Sequence, residues 1–257
     1  MIKKVLLYLA VSGLLTACGS DNDSPVSGNN QNPPASTPGT TPTPSVSLDE
    51  VAGVWYSKDS ESELVIQVTA DGKYLLAQPI LRGAETSKNG MEAGTLTLNP
   101  VTGNYIARTA IDTNKDWGLN NTGEPREVHL ALNGANNLVA TVQGEQGNAI
   151  LTKVARNTSG IVGAWSAGIN KPLFVFKGDN TYIMVDPIGD ESQNRCGGPG
   201  VEYGKYSYLN GNLSSNTIIV DTNGCAGLAD NGVGTALSAV IGANTLLLDS
   251  AITLNRQ

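Results

Sequence analysis

From residue 48 onward the chain runs through the same pattern twice, so whatever it folds into must be completed within roughly 100 residues. Gly53-Val54-Trp55 returns as Gly163-Ala164-Trp165 at an offset of 110. Leu64-Val65-Ile66 returns as Phe174-Val175-Phe176, and Gly90-Met91-Glu92-Ala93-Gly94 as Gly200-Val201-Glu202-Tyr203-Gly204, again at 110. Asp112-Thr113-Asn114 with Gly118-Leu119 returns at 109 as Asp221-Thr222-Asn223 with Gly227-Leu228. Gly134-Ala135-Asn136 returns at 108 as Gly242-Ala243-Asn244. Five stations in one order at nearly constant offset define two units, 48–157 and 158–257.

Inside each unit the apolar residues recur mostly at every second position, the period of half-buried strands. Strands are expected near 53–57, 63–68, 73–78, 93–98, 104–110, 127–132, 138–143 and 149–154 in the first copy. The second copy gives 163–167, 173–177, 181–186, 203–208, 216–221, 235–241, 245–249 and 251–255. Turn residues such as Asp71-Gly72 and Asn210-Gly211 separate them. Thirty glycines and only two phenylalanines also favour short strands and turns over long helices. Eight strands can close on themselves and leave no edge bare. The expected class is all-β, two tandem small antiparallel barrels, with a β-sandwich as the alternative.

Ser47-Leu48-Asp49-Glu50 has the form of a helix capping box and leads into Gly53-Val54-Trp55. A short helical turn followed by glycine, any residue and tryptophan on the first strand resembles the lipocalins and related small barrels. The resemblance implies that Trp55 and Trp165 plug one end of each barrel and that a late arginine packs across each ring. Arg156 and Arg256, near the ends of the two copies, stand where such a contact is expected.

Ahead of the repeats the chain opens Met1-Ile2-Lys3-Lys4, followed by an apolar run over 5–15. This has the charged and apolar regions of an export signal. As a helix the run spans roughly 16 Å, short of the ~30 Å hydrocarbon core. Leu15-Thr16-Ala17-Cys18 then resembles the lipobox of bacterial lipoproteins. The resemblance implies removal of 1–17, acylation of Cys18 (a palmitate-labelled lipoprotein) and attachment to a membrane through that lipid. Gly19, not aspartate, after the cysteine implies sorting to the outer membrane of the cell envelope, facing the periplasm or the surface. Residues 19–47 are nearly devoid of apolar side chains and rich in proline, serine, threonine and asparagine, the composition of a disordered tether. Such a tether reaches roughly 30 Å as a coil and up to about 90 Å as a polyproline rod.

The formal charge of −7 falls to −9 when Lys3 and Lys4 leave with the signal. An acidic chain offers no electrostatic footprint for nucleic acid, and any membrane attachment must come from lipid. Export to an oxidising compartment makes a disulfide between Cys196 and Cys225 the expected fate of the remaining cysteines. A redox or metal-binding pair is the alternative, without a CxxC spacing or a nearby histidine to favour it.

Two groups of polar residues invite a chemical reading. Asp112, Asn114 and Asp116 place oxygens at alternate positions, as a calcium loop does. The same residues suit an Asx-type turn, and copy two puts Cys225 where Asp116 stands. Glu92 and Glu202, each between glycines, are either carboxylates at a barrel mouth or acceptors of backbone hydrogen bonds. His129 is the single histidine and sits in an alternating strand pattern. No nucleophile elbow, zinc-protease or phosphate-loop motif is present, so no enzymatic activity is expected. The sequence reads as a binding module for an unknown small ligand or partner protein, or as a structural or adhesive surface protein.

Overall fold

A computed structural model describes residues 45–82, 86–115, 117–119, 124–155, 159–189, 197–224, 227–229 and 232–257. A four-residue helix, α1 (Leu48–Val51), enters the first repeat. The Ser47 amide and hydroxyl both donate to Glu50 Oε2, at 3.0 and 2.7 Å. Eight strands follow: β1 (Gly53–Lys58), β2 (Glu63–Val68), β3 (Lys73–Gln78), β4 (Gly90–Leu98), β5 (Tyr105–Asp112), β6 (Arg126–Leu132), β7 (Asn137–Val142) and β8 (Ala149–Lys153). The second repeat supplies β9 (Gly163–Ser166), β10 (Leu173–Phe176), β11 (Thr181–Asp186), β12 (Gly200–Leu209), β13 (Asn212–Asp221), β14 (Ala236–Ile241), β15 (Thr245–Leu248) and β16 (Ile252–Arg256).

In each repeat every strand pairs antiparallel with its sequence neighbour, and the last strand pairs with the first. Trp55 faces Lys153 across one closure and Trp165 faces Arg256 across the other. The chain is thus two closed barrels in tandem, not a sandwich. Closure satisfies both edges of what would be an open sheet. The turn at Asn210-Gly211, both at positive φ, joins β12 to β13 in a two-residue hairpin.

One end of each barrel is sealed by its tryptophan. Trp55 Nε1 donates to Val51 O and Trp165 Nε1 to Ile161 O, each at 2.7 Å, and neither ring is exposed. Over Trp165 lies the Arg256 guanidinium, 3.9 Å from the ring centroid, which also donates to Gly160 O and Val162 O at 3.0 and 3.1 Å. The first barrel differs from the expected pattern here. Lys153, not Arg156, holds the position in register with Arg256, with Nζ 5.0 Å from the Trp55 centroid. Arg156 lies outside the described residues.

Strand registers also correct the matching of the repeats. Trp55 faces Ile66 and Trp165 faces Phe174, so Ile66 corresponds to Phe174, at an offset of 108. The match of Leu64-Val65-Ile66 to Phe174-Val175-Phe176 is two residues out, because the first hairpin of the second copy is two residues shorter. A slip of two leaves inward side chains inward, so the alternation hides it.

The simple two-residue burial pattern fails in β2, β3, β10 and β11, which are buried on nearly every residue. Their inward faces fill the barrels. Their outward faces, among them Val65, Leu75, Val175 and Ile183, form a third apolar cluster in which the two barrels pack against each other. Strands covered on both faces need continuous apolar runs, as Leu-Phe-Val-Phe of β10 provides.

Candidate functional site

The interiors of the two barrels share a frame and differ in filling. In the second, Phe174, Phe176, Tyr182 and Tyr206 crowd the centre. Phe174 stacks on Phe176 at 6.0 Å between centroids, and Tyr206 meets Phe176 edge-on at 5.0 Å. The registers place Ile66, Val68 and Leu96 of the first barrel where Phe174, Phe176 and Tyr206 stand in the second. Three aromatic rings are therefore replaced by short aliphatic side chains. A cavity of about 40 Å³ remains, walled by Leu64, Ile66, Val68, Leu76, Leu96 and Leu151 among others. The mouth, opposite the Trp55 end, carries Lys58, Asp59, Ser62 and Gln78. Asp59 Oδ1 accepts from the amides of Glu61 and Ser62, both at 2.7 Å, which fixes the turn at that rim.

Gly118 and Leu119, from the β5–β6 connection, also line the cavity, and a buried carboxylate holds them there. Glu92 on β4 is fully buried and accepts from the Leu119 amide at 3.0 Å and from Tyr74 Oη at 3.4 Å. The second barrel repeats this: Glu202 accepts from the Leu228 amide at 3.1 Å and from Tyr182 Oη. Each tyrosine hydroxyl reaches a further hydroxyl, Thr109 Oγ1 at 2.7 Å or Ser215 Oγ at 2.9 Å. The carboxylate also explains the glycine in each copy. A Cβ on Gly118 would lie 2.3 Å from Glu92 Oε1, and one on Gly227 2.4 Å from Glu202 Oε2, with both glycines at positive φ. Burial pushes the hydroxyls of Tyr74 and Tyr182 far above the usual phenol range, reinforced by the adjacent carboxylates, so both remain donors. Because the station recurs in the filled barrel as well as the hollow one, it serves the scaffold common to both.

Asp112 lies on the surface and its Oδ1 accepts from the Asn114 amide at 3.1 Å. Asp221 does the same for the amides of Asn223 and Gly224, at 3.1 and 3.0 Å. Both are Asx turns. The Asn114 side chain is fully buried, and neither its amide nitrogen nor its oxygen has a hydrogen-bond partner among the described residues. Asp116 lies outside the described residues, as do Cys18, Cys196 and Cys225. His129 sits in β6 and its Nδ1 meets Asn104 Oδ1 at 3.1 Å, on the face of the sheet away from the cavity lining.

Comparison of the chain with protein-family models, with curated proteins and with solved structures returned no match.

Burial holds the Glu202 carboxyl above the usual glutamate range, against the opposing pull of Tyr182 and the backbone amides. Such a group stabilises the fold while protonated. That contribution is complete below the ordinary glutamate value and is lost as pH rises through the raised one. Urea unfolding from about pH 4 to pH 8 should show wild type losing stability relative to Glu202→Gln as pH increases. A difference that does not change with pH contradicts the assignment.

Proposed function

We propose that the chain is a lipid-anchored lipoprotein of the outer membrane whose first barrel binds a small apolar ligand without chemically altering it. The observation that carries this reading is the aliphatic cavity of the first barrel, at positions where the second carries three aromatic rings. An enclosed aliphatic wall removes apolar surface from water at roughly 25 cal/mol per Å² buried, and polar residues at one rim orient a ligand without reacting with it. A cavity of about 40 Å³ walled by aliphatic side chains has room for a ligand portion of only a few atoms.

In this reading residues 1–17 are an export signal, Cys18 carries the lipid, and 19–47 tether the two barrels away from the membrane. A Cys196–Cys225 disulfide is the pairing expected of an exported chain in an oxidising compartment. The single histidine in the sequence and its placement on β6, away from the cavity, support a non-enzymatic role.

Replacing the cavity's side chains by their counterparts tests the binding function. The double variant Ile66→Phe, Leu96→Tyr should raise the Kd for a short alkane such as propane at least about tenfold, a loss of roughly 1.4 kcal/mol. Titration followed by methyl NMR shifts checks this, and equal affinity of wild type and variant would remove the first barrel as the site. For the anchor, metabolic labelling with palmitate should mark the wild-type chain and fail to mark Cys18→Ser. Label retained by the serine variant would exclude Cys18 as the acylated residue.

A further inference from the structure

The seam between the barrels is built from the same positions of both repeats. By strand register Val65 corresponds to Leu173, Leu75 to Ile183 and Met91 to Val201, and all six side chains belong to one apolar cluster. The fourth strands of the two repeats, β4 and β12, touch each other. Two surfaces that meet through one shared patch form an isologous interface, as in a two-fold dimer. A barrel of either kind therefore presents a face that any other barrel of this chain could cover.

One cluster breaks the symmetry. Glu63 of the first barrel is fully buried and pairs with Lys177 of the second, with Lys58 Nζ 2.9 Å away and Tyr203 Oη donating at 3.0 Å. Lys177 Nζ in turn lies over the rings of Tyr56 and Tyr203, at 5.1 and 5.0 Å. Counting along the registers, the position of Glu63 is Lys171 in the second repeat, and that of Lys177 is Thr69 in the first. Two first repeats joined through this face would bury Glu63 opposite threonine, without a cation from the partner. Two second repeats would set Lys177 against Lys171 in place of Glu63, with only the exposed Asp179 of its own barrel as a nearby carboxylate among the described residues. Glu63 would then keep only Lys58 of its own barrel, and Lys177 would face a second cation, so each like pairing loses compensation of a buried charge.

We propose that the seam is an interface usable between chains as well as within one, and that the Glu63–Lys177 pair selects the union of a first repeat with a second. The partner is a second copy of this chain, exchanging barrels reciprocally. Glu63→Lys and Lys177→Glu each set like charges across the seam, and each purified full-length chain should show a Tm about 10 °C below wild type. The chain carrying both substitutions restores opposite charges internally and should regain most of that loss as a monomer.

Mixing the two single variants in urea and refolding them together gives the deciding result. Each first repeat then finds an oppositely charged second repeat only on the other chain. Light scattering after gel filtration should therefore show a one-to-one heterodimer, absent when either variant refolds alone. Single variants as stable as wild type, or a double variant no more stable than the singles, would overturn the role of the pair. A mixture that stays monomeric would overturn exchange between chains.

Discussion

An eight-stranded barrel has room inside for about one layer of side chains, so the size of those side chains decides whether it is a core or a container. Everything distinctive about this protein follows from that constraint being met twice, in two ways. The second barrel meets it with Phe174, Phe176 and Tyr206. The first places Ile66, Val68 and Leu96 on the same scaffold and keeps a cavity. Duplication supplies the physical setting for such divergence. Both barrels share the tryptophan seal and the buried glutamate, so the fold is held by elements outside the three exchanged positions.

Those shared elements explain why the loops at the cavity end keep their shape. Glu92 and Glu202 reach across the barrel end to backbone amides of Leu119 and Leu228, and a glycine beside each makes the approach possible. A carboxylate buried in this way is tolerable only because donors surround it. Tyr74 and Tyr182 complete the set in their respective barrels. The cavity rim is thus fixed by the same station that fixes the filled barrel, which separates scaffold from binding surface within one loop.

Much of this was legible in the residues, and the remainder was hidden for identifiable reasons. Two-residue periodicity with Asp-Gly and Asn-Gly turns located the strands, and their number allowed a closed barrel but left a sandwich open until the first and last strands were seen to pair. The expected starts at 93 and 203 miss the first residues of β4 and β12, because Gly90 and Gly200 carry no side chain from which alternation can be read. Gly118 could not be tied to Glu92 from spacing, since the contact joins a connection to a strand and is a matter of close approach. The size difference at inward positions was present in the sequence. A two-residue difference in the first hairpins misaligned Ile66 with Phe176 in place of Phe174, and so blurred it. Lys153 in place of an arginine over Trp55 shows the same limit: the cation was needed, but its position depended on the closing register.

The seam adds a second constraint. Because the outward faces of β2, β3, β10 and β11 are largely buried between the barrels, neither barrel is solvated on all sides. Free space in one barrel's aliphatic interior and its loss to aromatic rings in the other are open to direct observation with a probe that needs only dry apolar space. Crystals pressurised with xenon should show the gas bound between Ile66 and Leu96 in the first barrel and none inside the second. Xenon in both barrels, or in neither, would contradict that difference.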